Sequence, residues 1–155
     1  SLIMDNYLEQ AINEAKSGMK KGDGGPFGAV IVMNGKVIAK AHNTVLKDND
    51  PTAHAEINAI RKASKKIKNF DLSKCEIYTT CEPCPMCYSA IHWGKLKKVY
   101  FGAEAKDAAK IGFIDKKLKE ILLGKKKSNI PMKKLNSKAC IDLMGEFTKM
   151  KGKLY

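Results

Sequence analysis

Three soft metal donors lie in two short fragments, His54-Ala55-Glu56 and Pro83-Cys84-Pro85-Met86-Cys87, and a fold that uses them together must bring both fragments to one point. Cys84 and Cys87 stand three apart where Pro85 opens a helical pattern, so their Cβ atoms share a face about 5–6 Å apart. A helix N-terminus lowers the pKa of a thiol and favours the thiolate that binds metal. His54 opens a second helical pattern, AHAEINAIRKASKKI, and supplies a third ligand if two helix N-termini meet at the end of a sheet. Such a set suits Zn2+, which takes nitrogen and thiolate sulfur in a tetrahedron, and three protein ligands leave the fourth corner to water. Glu56 is two residues from His54 and can approach that corner from the side without ligating.

The same residues have other uses. With Cys81 as a fourth ligand the site would be closed and structural, a non-enzymatic zinc-binding module in which Glu56 has no purpose. Cys81-x-x-Cys84-x-x-Cys87 begins like an iron–sulfur spacing but lacks the further Cys-Pro. A dithiol redox pair lacks a thioredoxin-like setting. Five cysteines, three of them crowded into CEPCPMC, do not read as a disulfide scaffold, and Cys75 and Cys140 are expected as small buried apolar residues.

The rest of the chain alternates between helical and strand patterns. Leu8, Ile12, Ala15 and Met19 recur at helical spacing after Asp5, an expected N-cap, and the run stops at Gly22-Asp23-Gly24-Gly25-Pro26. FGAVIV and KVIAKAHN flank Asn34-Gly35, a hairpin signal. Asp50-Pro51 is expected to open the next helix, with Ile57, Ile60 and Ile67 facing a sheet. CEIYTT and KKVYFGA read as strands around the helix PMCYSAIHWGKL, which Gly94 ends. A short helix is expected over DKKLKEILLG and a last one over ACIDLMGEFTKMKGK; PMKKL is ambiguous. The sum is one α/β domain over residues 1–155.

Hydrophobic residues at 44% and charged residues at 29% fit a globular chain, and no apolar run approaches the roughly 18 residues that span a bilayer. SLIMDNYLEQ lacks the layout of a secretory signal, so a cytoplasmic location is expected; Ser1 reads as a cloning scar. The net charge of +13 invites a nucleic-acid partner. Of the 29 basic residues only Arg61 is arginine, however, and lysine lacks the planar fork that reads phosphates and bases, so a solvated basic surface is favoured.

H-x-E followed by P-C-x-x-C is the pattern of zinc-dependent nucleobase deaminases. With GGPFGAVIV, NDPTAHAEINAIRKA, CEPCPMCYSAIHW and DAAKIGFID, the chain resembles the cytidine-deaminase-like superfamily and within it the bacterial guanine deaminases. The middle two segments are shared with transfer-RNA adenosine deaminases and cytosine deaminases, which remain the alternatives. The resemblance implies a three-layer α/β/α sandwich around a five-stranded mixed sheet, with one Zn2+ per subunit on His54, Cys84 and Cys87 and Glu56 as the catalytic proton carrier. It also implies a purine base as substrate, and a homodimer in which C-terminal segments (about 116–155) are swapped so that each tail covers the other subunit's site. Asn43 would bond the purine edge, Phe27 and Trp93 would wall the ring, and the backbone of Ala55 would touch it. Asp115 would read the guanine amino group, and Tyr155 would close the site. The side chains have plainer readings: Asn43 as a strand-end cap, Phe27 as core under the Gly-Pro turn, Trp93 as core, Asp115 as a helix N-cap, and Tyr155 as a last residue that frays. Ile114 stands where the family often has a second acidic residue.

Overall fold

A computed structural model describes residues 1–155. Helix α1 (Leu2–Lys21) is followed by β1 (Gly28–Met33) and β2 (Lys36–His42), then by a single turn, α2 (Val45–Asp48), and by α3 (Ala55–Ile67). Strand β3 (Cys75–Cys81), α4 (Pro85–Trp93) and β4 (Lys98–Ala103) come next, and α5 (Ala105–Lys110), α6 (Lys116–Leu122) and α7 (Lys138–Lys149) complete the chain.

The sheet runs β2-β1-β3-β4. β1 is antiparallel to both neighbours and β3 is parallel to β4, so the sheet is mixed. The β1–β2 hairpin turns on Asn34 and Gly35, both at positive φ (51° and 74°), which the primed two-residue turn demands. β1 is buried on both faces because α1 packs on one and α3 on the other. Its side chains accordingly alternate between two cores: Ala29 and Ile31 on the α3 side, Val30 and Val32 on the α1 side. Truncating Ile31, which is completely buried, costs about 2–5 kcal/mol on the usual scale of such cavities.

Four expectations change. The sheet has four strands, not five: β4 is its outer edge, and the chain leaves it at Glu104 to form α5. No strand follows, and in residues 131–135, all exposed, Lys133-Lys134 interrupts any apolar alternation. The first helix starts earlier than Asp5, because the Ser1 hydroxyl accepts from Met4 N at 3.3 Å and Asp5 sits inside the first turn. Asp50-Pro51 does not open α3. Asp50 is used instead in a tight turn, accepting from Thr52 N (2.8 Å) and Thr52 Oγ1 (2.7 Å), and His54 becomes the N-cap of α3. Cys140 is exposed, whereas Cys75 is buried as expected.

α3 meets the sheet through Ala55, Ala59 and Ala63, all fully buried, rather than through its isoleucines. The methyl side chains let the helix axis lie close, and Ile60 and Ile67 pack at the margin. That close seating puts the N-terminus of α3 at the sheet's end, beside the N-terminus of α4. No helix is long and apolar enough to cross a membrane.

Candidate active site

His54 is the N-cap of α3, Cys84 the N-cap of α4, and Cys87 lies in the first turn of α4. None of these capping side chains is spent on its own helix. Asn58 fixes how the chain arrives at His54: its Nδ2 donates to His42 O (2.9 Å) and to Thr44 Oγ1 (2.9 Å), while Thr44 N donates to Ala53 O (2.9 Å). The His54 Nδ1 atom then lies 3.7 Å from Cys84 Sγ and 3.4 Å from Cys87 Sγ. All three donor atoms fall within 4.8 Å of one another.

These spacings fit zinc. Bonds of about 2.3 Å to sulfur and 2.0–2.1 Å to nitrogen at tetrahedral angles imply S···N separations of about 3.6 Å. The fourth cysteine stays out of the group: Cys81 Sγ turns to the Glu104 carbonyl at 3.7 Å, and the metal-ligating cluster comprises His54, Cys84 and Cys87 alone. Three protein donors leave one corner for solvent, which separates a catalytic zinc site from a closed structural one.

Electrostatics within the group agree with this. The Cys84 thiol is lowered to about 4, first by its bond with Cys87 and then by that with His54, whereas the Cys87 thiol is pushed up by the same contact and by burial. His54 is raised, mainly by its bond with Cys84. One thiolate thus sits among donors whose hydrogens a divalent cation would displace. Glu56, 7% exposed, follows His54 on the first turn of α3, and burial raises its carboxyl above the ordinary range. A shift in this direction favours general acid–base work by the carboxyl.

A cavity of about 560 Å³ opens over this centre, lined by Phe27, Asn43, His54, Glu56, Cys84 and Asp115 among others. Its size suits a heterocyclic base. Phe27 meets Phe113 edge-on at 5.0 Å, giving the cavity an aromatic wall. Asn43 is 5% exposed, and its Oδ1 accepts from Val45 N at 3.0 Å. Asp115 occupies the N-cap position of α6 but makes no capping hydrogen bond, so capping alone does not account for it. Its Oδ1 lies 3.4 Å from Lys119 Nζ.

Three residues that the resemblance singles out lie elsewhere. Ala55 is fully buried between His54 and Glu56 and does not line the cavity. Trp93 and Tyr155 are on another surface of the chain, 68% and 76% exposed, with their rings 6.2 Å apart. Within one chain neither reaches the metal centre. Conversely, Thr79, Leu46, Phe113 and Glu82 line the cavity without having been singled out. Glu82 Oε1 accepts from Ala105 N at 3.0 Å and so fixes the start of α5, whose Ala105 and Ala108 form part of the wall. Only Glu82, inside CEPC, and Phe113, inside GFID, stood in segments whose pattern drew notice.

Residues 3–103 match the cytidine and deoxycytidylate deaminase zinc-binding region. A guanine deaminase of Bacillus subtilis is 51% identical over 111 residues, 72% of this chain and 71% of that protein. A tRNA-specific adenosine deaminase of Aquifex aeolicus is 45% identical over 97 residues, 63% of this chain and 64% of its own length. The crystal structure of guanine deaminase from Bacillus subtilis superimposes with a TM-score of 0.89 at 41% identity, covering 97% of each chain. A metal triad at two helix N-termini, an adjoining buried carboxyl and a match over this much of the sequence agree: the chain belongs to the cytidine and deoxycytidylate deaminase zinc-binding family.

Proposed function

We propose that this chain is a zinc-dependent aminohydrolase of a free purine base, converting guanine and water to xanthine and ammonia. The observation that carries the reading is the open His54-Cys84-Cys87 triad beside the buried Glu56, on the floor of a cavity that also holds Asp115. The likeness to a guanine deaminase over nearly the whole chain supports guanine in particular.

His54, Cys84 and Cys87 would hold the zinc, whose Lewis acidity brings water towards a pKa of about 7. Glu56 does the proton work. Its carboxylate takes a proton from the attacking water and delivers it to the ring nitrogen N3, which makes C2 electrophilic. A C–O bond then forms at C2; Glu56 takes the remaining proton from the new C2 hydroxyl and hands it to the amino nitrogen, so that the C–N bond breaks, ammonia leaves and C2 becomes the carbonyl of xanthine. Phe27 and Phe113 hold the ring plane, Asn43 bonds its edge, and the Asp115 carboxylate accepts from the exocyclic amino group. The backbone of Ala55, between His54 and Glu56 in the chain, would contact the base.

A homodimer goes with this reading. α7 has no buried residue, and Ile141, Met144 and Phe147 on it are exposed, so a second copy has an apolar helix to cover. In a dimer that exchanges residues 116–155, Tyr155 of one chain would cover the cavity of the other. We place the enzyme in the cytoplasm, where reducing conditions keep the zinc thiols free.

A transfer-RNA adenosine deaminase shares the chemistry, and both the charge of +13 and the Aquifex relative favour it. Cytosine is the other candidate. The test is ammonia release from guanine, adenine and cytosine beside inosine formation in transfer RNA. Xanthine from guanine as the dominant product is expected; inosine in transfer RNA with guanine untouched would overturn the proposal.

A further inference from the structure

His42, the last residue of β2, is held between two carboxylates outside the cavity. Its Nδ1 lies 2.8 Å from Glu14 Oε2 on α1, and its Nε2 lies 2.8 Å from Asp23 Oδ2 in the glycine turn that follows α1. The three side chains are only 15%, 26% and 10% exposed in that order. Both ring nitrogens are thus engaged, one by each carboxyl group. The site is built to take the ring. A Cβ at Gly18 would overlap the imidazole, so a glycine on α1 leaves it room.

Asp23 is the hub on the cavity side. Its N–H donates to Gly18 O at 2.9 Å, and its carbonyl accepts from both Leu46 N and Lys47 N at 3.0 Å. The next residue, Gly24, presses against Asn43 so closely that a Cβ there would overlap the Asn43 side chain. Gly24, Gly25, Asn43 and Leu46 all line the cavity, whereas Glu14, Asp23 and His42 do not. The His42–Asp23 contact therefore ties together the two segments, 23–25 and 43–47, that lie against each other along the cavity wall.

We propose that His42 and Asp23 form a clamp that sets the spacing between the glycine turn and Asn43, with His42 as a positioning residue for the purine and Glu14 only tethering the ring to α1. The inference rests on the assignment of this cavity to the base. Its energetic side is a charge-assisted hydrogen bond shielded from water, which holds two loops in one register rather than contributing to the chemical step. Loss of the His42–Asp23 contact therefore weakens base binding and leaves turnover of bound base alone.

The test compares zinc-loaded full-length wild type with His42→Ala, Asp23→Ala, His42→Gln and Glu14→Gln. KM and kcat for guanine, zinc content and amide hydrogen exchange at Leu46 and Lys47 are measured on each. His42→Ala and Asp23→Ala should raise KM about tenfold, the scale of one charge-assisted bond, with kcat within about twofold and one zinc retained. Exchange at Leu46 and Lys47 should quicken in both. His42→Gln keeps an amide donor for Asp23 and should recover most of the KM. Glu14→Gln loses only the tether to α1 and should lower thermal stability with KM nearly unchanged. Unaltered KM and exchange in the two alanine variants would overturn the clamp, as would a Glu14→Gln effect on KM equal to theirs. If one alanine variant does not fold, the other decides. A wild type that does not act on guanine would contradict the substrate assignment; the exchange measurements would then decide the clamp.

Discussion

Glu56, the proton carrier we propose, depends less on its identity than on its surroundings. In water a glutamate is almost wholly ionised at neutral pH, with no proton to give and a weakly basic carboxylate; burial on the first turn of α3 raises the pKa of this one, which favours proton exchange. Glu56→Gln keeps the shape and the three metal donors but loses that exchange. Zinc should stay at one per chain while kcat falls by about 10²–10⁴, read by elemental analysis beside xanthine formation. Undiminished turnover would remove the proton carrier. At this scale the metal centre was legible, because helix geometry puts Cys84 and Cys87 on one face and the H-x-E and P-C-x-x-C pattern pairs them with His54 and Glu56. The wall residues were less so. Thr79 and Leu46 have no spacing signature; they reach the cavity because the sheet and α2 carry them there.

The elements place the site through two helix N-termini at one end of the sheet. The alanine stripe of α3 lets that helix lie close, and the turn before it delivers His54. Asp50-Pro51 reads as a helix start because the pair satisfies the rule for a cap and a first residue. The structure spends Asp50 on Thr52 instead, and a local hydrogen-bond competition of that kind leaves no periodic trace. The hairpin, by contrast, was readable, since Asn-Gly admits few other turns. Asp50 also yields a pH prediction. Its carboxyl is lowered in the folded chain, first by the Thr52 hydroxyl, then by the Thr52 amide, with Arg61 adding a smaller pull. The folded state thus holds its proton less tightly than the unfolded state, whose value is near 3.9, so the stabilisation is present above that value and disappears as pH falls through the folded one. The difference in melting temperature between wild type and Asp50→Asn should be constant from neutrality to about pH 5 and close as pH falls below the unfolded value of about 3.9. A difference that grew on acidification would contradict the assignment.

On the scale of the molecule, two parts of the chain behave differently. Residues 2–103 bury a core on each face of the sheet, whereas α5, α6 and α7 contribute no buried residue. An amphipathic α7 with Ile141, Met144 and Phe147 exposed is a costly surface for a single copy. Sedimentation should find a dimer, and Ile141→Glu with Phe147→Glu should shift it to a monomer that still binds zinc; a monomeric wild type would contradict the pairing. The absence of a fifth strand belongs here too, because sheet growth beyond β4 depends on what meets its free edge, and no pattern within residues 123–137 decides that. What unites the scales is a metal centre held by three side chains beside a buried acid. X-ray absorption at the zinc edge of the loaded protein tests it most directly: two sulfur scatterers at about 2.3 Å with one histidine and one solvent oxygen at about 2.0 Å are expected, and a third sulfur, supplied by Cys81, would contradict it.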